Sequence, residues 1–276
     1  MSQYYIKVTY TISPPEPGSD ILIAVLGELG FDSFIQTNTG LEAFIPKADF
    51  NFDILPKHSE YDFYFTYEIE TIEPNNWNAE WESRFTPVIV QNYCSIRAPF
   101  HPPNPTNLLD LIIVPKMSFG TGHHQTTWLM TKFLFENKPS QMNLLDMGCG
   151  TGILAILSKK LGAQSVVGID IDEWSVINSK ENEEINSVSG IHWILGDAKK
   201  IPSQKFDMIL ANINKNILKK DLPNYSAALS ENGKIVMSGF FSNDATELKL
   251  CAEQLQLKFY FEDNKDGWAL LSFTKN

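Results

Sequence analysis

The chain has 276 residues, 43% hydrophobic and 20% charged, a balance that excludes a disordered or fibrous protein. Its net charge of −11 is concentrated at one end: 12 acidic and 3 basic residues precede residue 75, a distribution that repels nucleic acid and attracts a basic partner. No apolar run spans a bilayer, Met1 to Tyr5 lack the basic and apolar parts of a secretory signal, and three scattered cysteines (Cys94, Cys149, Cys251) form neither a disulfide framework nor a zinc site, so a reduced, cytoplasmic protein is expected.

The first predicted element is a strand over Tyr4–Ile12, where Ile6, Val8 and Tyr10 alternate with Tyr5, Lys7 and Thr9. Pro14, Pro15, Pro17 and Gly18 break the chain, and Ser19 or Asp20 caps a helix that runs through Leu29 and stops at Gly30. Phe31–Thr37 and Leu41–Ile45 read as a hairpin around Asn38-Thr39-Gly40, and Phe63–Ile72 as an alternating strand. The order approaches a split β-α-β-β-α-β motif. Its second helix would lie near residues 48–60, which hold Pro56 and no helical period, so that helix is short or absent. These residues, 1–73, are expected to form one domain, and residues 74–276 a linker and a second one.

The linker carries Trp77 and Trp81, four apart and so on one face of a short helix, as packing anchors. Val88–Ala98 reads as a strand pair, followed by the Pro-rich loop His101–Pro105. Next comes Phe119-Gly120-Thr121-Gly122-His123-His124-Gln125-Thr126-Thr127, a glycine-containing mobile loop whose threonines can cap the following helix or donate to a ligand. Neighbouring histidines diverge and no third ligand is near, so no metal site is expected.

Leu144–Gly152 (Leu-Leu-Asp-Met-Gly-Cys-Gly-Thr-Gly) carries the most information. It reads as a buried strand, a glycine turn and a helix whose amides face a ligand. Ile153 stands where the dinucleotide fingerprint needs a third glycine, and no Gly-Lys-Ser/Thr follows. Asp146 at the strand end would repel a pyrophosphate and suits a ligand with a cationic amine. S-adenosylmethionine (SAM) is such a ligand, and Gly150 is expected to face it. The segment resembles motif I of class I SAM-dependent methyltransferases.

The remaining elements alternate. Strands are predicted at 165–171, 192–195, 206–213 and 234–239, helices at 126–135, 173–186, 216–229 and 244–254, and a closing hairpin around Asp266-Gly267. This is the pattern of an α/β, doubly wound parallel sheet, in which ligands lie beyond the C-terminal strand ends. Asp170, 22 residues after Gly148, is placed to accept ribose hydroxyls, with Asp172 as its competitor. Asp197 ends the third strand, within reach of an adenine edge, and Asn212 ends the fourth.

Four segments together, Phe119 to Thr127, Asp146 to Gly152, Gly168-Ile169-Asp170-Ile171-Asp172 and Ala211-Asn212-Ile213, resemble the ribosomal protein L11 methyltransferase (PrmA) family. Trp77, Trp81, Glu82 and Pro87 after Phe85 match it too. The resemblance implies a Rossmann-like class I methyltransferase domain behind a small α+β ferredoxin-like domain that recognises the substrate. It implies transfer of methyl groups from SAM to lysine side chains and the α-amine of one basic ribosomal protein. A monomer that binds neither nucleic acid nor membrane is expected. Thr127, Gly148, Asp170 and Asn212 match the family's SAM contacts, with Phe119 in the loop that covers the cofactor. Two segments depart from the family: Val114-Pro115-Lys116 stands for Asp-Pro-Gly, and Asn214-Lys215 for Leu-Ala.

The attacking amine must be neutral, whereas free lysine has a pKa near ~10.4. Asn212 supplies a neutral oxygen that orients an amine without holding it cationic, so positioning and exclusion of water carry the catalysis, with no dedicated general base. The alternatives are a glutamine or RNA methyltransferase, which would carry Asn-Pro-Pro-Tyr where Asn212-Ile213-Asn214-Lys215 stands, and a non-catalytic module of the same fold.

Overall fold

The computed structural model describes residues 4–72, 85–105, 108–116 and 118–276, and the chain divides into two compact units, Met1–Phe85 and Thr86–Asn276. The expected 73/74 boundary and the Trp77/Trp81 helix fall on or beside residues outside this description. Among the described residues no helix is long and apolar enough to cross a membrane.

In the first unit, β1 (Tyr5–Ser13), α1 (Pro15–Glu28), β2 (Ser33–Thr37), β3 (Gly40–Pro46) and β4 (Tyr64–Ile72) build an antiparallel sheet in the order β2-β3-β1-β4. That is the strand order of a split β-α-β-β-α-β domain. The alternation read in β1 buries Ile6, Val8, Tyr10 and Ile12 against Leu22 and Leu26 of α1. The helix begins earlier than expected. Glu16 is extended (φ −113°, ψ 131°), so the regular helix starts at Pro17, in the first turn, where an N–H has no intrahelical partner. Ser19 is buried within the helix instead of capping it, and Asp20 accepts from Gln36 Nε2 at 2.8 Å. In place of a second helix stand two 3-10 turns, Phe52–Ile54 and His58–Glu60.

The second unit opens with a three-stranded sheet. β5 (Val88–Val90) pairs antiparallel with β6 (Cys94–Arg97), and β7 (Leu109–Ile112) pairs parallel with β6. The third strand was not expected, because four residues after a proline-rich loop are too few to show a period. Then follow α2 (Gln125–Glu136), β8 (Asn143–Met147), α3 (Ile153–Lys160), β9 (Ser165–Asp170), α4 (Glu173–Ile185), β10 (Ile191–Leu195), β11 (Phe206–Asn212), α5 (Lys215–Ala228), β12 (Leu229–Phe241), α6 (Ala245–Gln254), β13 (Leu257–Lys265) and β14 (Trp268–Lys275).

The seven large-sheet strands lie in the order β10-β9-β8-β11-β12-β14-β13, the first five parallel and the β13–β14 hairpin antiparallel. Both faces are covered, which is why the central strands read as unbroken apolar runs. Along β11, Met208 and Leu210 enter the core shared with α2 and α3, while Ile209 and Ala211 enter the core shared with α5 and α6. The strand order reverses between β8 and β11, which sets the switch point where doubly wound sheets take their ligands.

Candidate functional site

A cavity of about 670 Å³ opens at that switch point. Gly148 and Gly150 after β8, Asp170 at the end of β9, Asp197 after β10, Asn212 at the end of β11, and Phe119 all line it. Two other expected residues do not. Asp146 is buried (1% exposed), and its Oδ2 accepts from the Ala155 amide at 3.1 Å, in the first turn of α3. The expectation that Asp146 faces a cationic ligand is therefore corrected: its carboxylate holds the helix end. Burial, partly offset by that amide, pushes its pKa up to about 7. Thr127 is fully buried beneath the site, with its Oγ1 3.5 Å from Asn212 Nδ2.

The glycine turn is crowded by protein. Gly148 and Gly150 have φ of +66° and +54°, where a side chain is strained. A Cβ on Gly148 would collide with the Ile213 side chain, and one on Gly150 with the Phe119 carbonyl oxygen. Asp170 fixes this turn as well as facing the cavity: its Oδ2 accepts from Gly150 N at 2.9 Å and its Oδ1 from Asp172 N at 3.0 Å. Each carboxylate oxygen keeps a free lone pair for a ligand hydroxyl. Asp172 also borders the cavity, and its side chain caps α4 by accepting from Trp174 N at 3.1 Å and Ser175 Oγ at 3.2 Å. Asp197 caps a 3-10 turn through Lys199 N at 3.0 Å.

The loop before α2 is latched to the glycine turn. Thr151 donates from N to Phe119 O (2.9 Å) and from Oγ1 to Gly120 O (2.7 Å). Thr151 O in turn accepts from Asn182 Nδ2 at 2.9 Å, and Asn182 Oδ1 accepts from Val114 N at 2.9 Å. Both ends of the Val114–Gly120 segment are thereby tied to one threonine and one asparagine. The sequence held a signal for this: Asn178 and Asn182 on α4 and Asn186 at its C-cap recur every four residues, on one helix face, and all three are buried.

The helix cap expected from the loop's threonines comes from His124, whose Nδ1 lies 3.3 Å from Thr126 N and 2.8 Å from Thr126 Oγ1. Burial lowers the His124 pKa, which favours the neutral ring. His124 stands edge-on to Phe119 (5.2 Å) and Trp268 (4.4 Å), and all three rings line the cavity. Sequence reasoning missed Trp268, because the start of a terminal hairpin strand gives no local sign of facing a site more than 100 residues upstream.

Both departures from the family pattern have structural roles. Val114 N is held by Asn182, and Lys116 pairs with Glu181 at 2.6 Å. Asn214 Oδ1 caps α5 through Ile217 N (3.1 Å), and Lys215 pairs with Asp244 (2.6 Å) and Glu247 (3.1 Å).

The lining includes four aspartates (170, 172, 197, 221) and one lysine (220), a field that favours a cation and disfavours a phosphate. Asn212 Oδ1 is buried, with no hydrogen-bond partner among the described residues. Aspartate acceptors for ribose and amino groups, an apolar aromatic wall and a volume within the range of small-ligand sites fit S-adenosylmethionine.

Residues 28–276 match the family model described as ribosomal protein L11 methyltransferase (PrmA). The chain is 43% identical over 265 residues to a ribosomal protein L11 methyltransferase of Porphyromonas gingivalis, covering 94% of this chain and 91% of that one. It is 40% identical over 276 residues to the protein of that name in Phocaeicola vulgatus, covering 98% of each. A solved ribosomal protein L11 methylase from Lactobacillus delbrueckii subsp. bulgaricus superposes with a TM-score of 0.65 at 25% identity, over 69% of this chain and 99% of that one.

Proposed function

The chain belongs to the ribosomal protein L11 methyltransferase (PrmA) family, and we propose that it methylates lysine side chains and the α-amine of ribosomal protein L11 at the cavity beyond β8, β9 and β11. It is a SAM-dependent protein methyltransferase. When bound, SAM supplies an activated methyl on a sulfonium that needs no acid to leave.

The protein's part is to bind, orient and dry the reacting groups. Asp170 accepts the ribose hydroxyls while it holds Gly150. Asp197 takes the adenine edge. Phe119 and Trp268 wall off water, and a desolvated amine loses its proton more readily than a free lysine at ~10.4. Neutral His124 adds no charge beside the amine. Asn212 Oδ1 accepts one N–H of the incoming amine and leaves its lone pair directed at the methyl. The acidic first unit takes the basic substrate, at a distance from the methyl-transfer chemistry along the chain.

The observation that carries this reading is the buried, unpartnered Asn212 Oδ1 in a cavity that otherwise suits a cationic nucleoside. The test is methyl transfer from labelled SAM to purified L11, read by mass spectrometry, for the wild type and Asn212→Ala. Wild-type label on L11 amines is expected, with kcat reduced about 100-fold in the variant, a loss of ~3 kcal/mol of transition-state stabilisation. Label on RNA or glutamine instead, or a variant with undiminished kcat, would overturn it.

A further inference from the structure

One residue that lines the cavity carries a buried hydroxyl with no hydrogen-bond partner among the described residues. Tyr225 of α5 is fully buried, packed in the core with Leu218 and Leu222, and also lines the cavity. Its hydroxyl oxygen is buried, with no hydrogen-bond partner among the described residues. Phenylalanine would fill that place without burying an unpaired polar group, so the hydroxyl calls for a role outside the core.

Its direction follows from helix geometry. Ile217, Asp221 and Tyr225 recur every four residues, so they share one face of α5, and all three line the cavity. Helical side chains lean toward the helix N-terminus, which carries the Tyr225 ring back toward Asp221 and the cavity. Burial, and secondarily the Asp221 charge, push the Tyr225 pKa well above its ordinary value, so the hydroxyl keeps its proton and can donate. The other lining near this end comes from Gly196, Asp197 and Ala198 after β10. With the ribose on Asp170 and the methyl toward Asn212, this end remains for the base.

We propose that Tyr225 is a cofactor-binding residue whose hydroxyl hydrogen-bonds the purine base of SAM, with Asp221 flanking the same edge. The proposal rests on the reading of this cavity as the SAM site. It gives α5, whose first turn the sequence left without a familiar motif, a part in selecting the base.

The test is Tyr225→Phe in the full-length protein, with binding of SAM, S-adenosylhomocysteine and S-ribosylhomocysteine, which lacks the base, measured by calorimetry. The variant should bind the two adenosyl ligands about 5–20-fold more weakly, the loss for one neutral hydrogen bond. Affinity for S-ribosylhomocysteine should not change. The melting temperature without ligand should stay level or rise, because an unpaired buried hydroxyl has been removed, a signature opposite to that of a purely structural tyrosine. Equal affinities of wild type and variant for the adenosyl ligands would overturn the proposal alone. A wild type that binds none of the three would overturn the reading of the cavity and the proposal with it. Equal weakening for all three ligands would move the contact off the base and overturn the assignment.

Discussion

In the first unit Asp53, Glu60, Asp62, Glu68 and Glu70 are exposed, and the polar partners of Asp20 and Asp32 are side chains, Gln36 and Tyr5. In the second unit Asp146, Asp170, Asp172, Asp197 and Asp207 each accept a backbone amide, from Ala155, Gly150 and Asp172, Trp174, Lys199 and Asn143. The same residue types serve different ends. Exposed carboxylates project a field, which suits capture of a basic partner. Carboxylates bonded to amides hold turns in shape, which suits a site that must be built before its ligand arrives.

The largest expected effect tests that division outright. A truncated chain beginning at Thr86 should bind SAM as tightly as the full chain but methylate L11 at least about 100-fold more slowly, once the substrate-binding free energy is lost. For the full chain, raising salt should raise the KM for L11 and leave SAM affinity level, because exposed charges are screened beyond roughly 8–10 Å whereas the cavity groups are in contact with their ligand. Equal rates for the two chains would remove the recognition role from the first unit.

Within the second unit, Asp170 and Asp172 sharpen the contrast between ligand and cap. Asp170→Ala removes an acceptor from Gly150 and from the ribose together, so SAM affinity should fall about 10–100-fold, as for charged hydrogen bonds of ~1.5–3 kcal/mol. Asp172→Ala should lower stability by ~1 kcal/mol, the worth of a helix cap, with affinity nearly unchanged. Calorimetry and denaturant melts on both proteins decide it, and the reverse ranking would exchange their roles.

Asp146 gives the clearest sign. Its folded pKa of about 7 lies above the ~3.9 of an unfolded aspartate. Its contribution to stability is therefore full below about pH 3.9 and is lost as pH rises through 7. Asp146→Asn keeps an oxygen for Ala155 N and cannot ionise. Between pH 5 and 8 its stability should gain on the wild type by about 2 kcal/mol, read from urea midpoints. A gap that does not change with pH would mean that Asp146 stays ionised in the fold.

The elements with strong local periodicity were legible from the chain alone. Alternation marked β1 and β4, apolar runs marked β8, β9 and β11, and Asp266-Gly267 marked the last hairpin. A cue of the same local kind misled at α1, where Pro17 reads as a break but starts the regular helix. Gly148, Gly150, Asp170, Asp197 and Asn212 could be placed on one cavity because each sits at a strand end, and strand ends of a doubly wound sheet converge.

Sequence by itself determined the layers, the strand ends and the chemistry expected between them, because those depend on side-chain periods of two and 3.6 residues and on turns of a few residues. Tertiary structure alone decided which way Asp146 points, that Thr151 and Asn182 latch the Phe119 loop, and that Trp268 and Tyr225 complete the cavity. Those facts depend on contacts between residues 9 to 144 positions apart. Such contacts exist only once helices and strands have packed, and no local period records them.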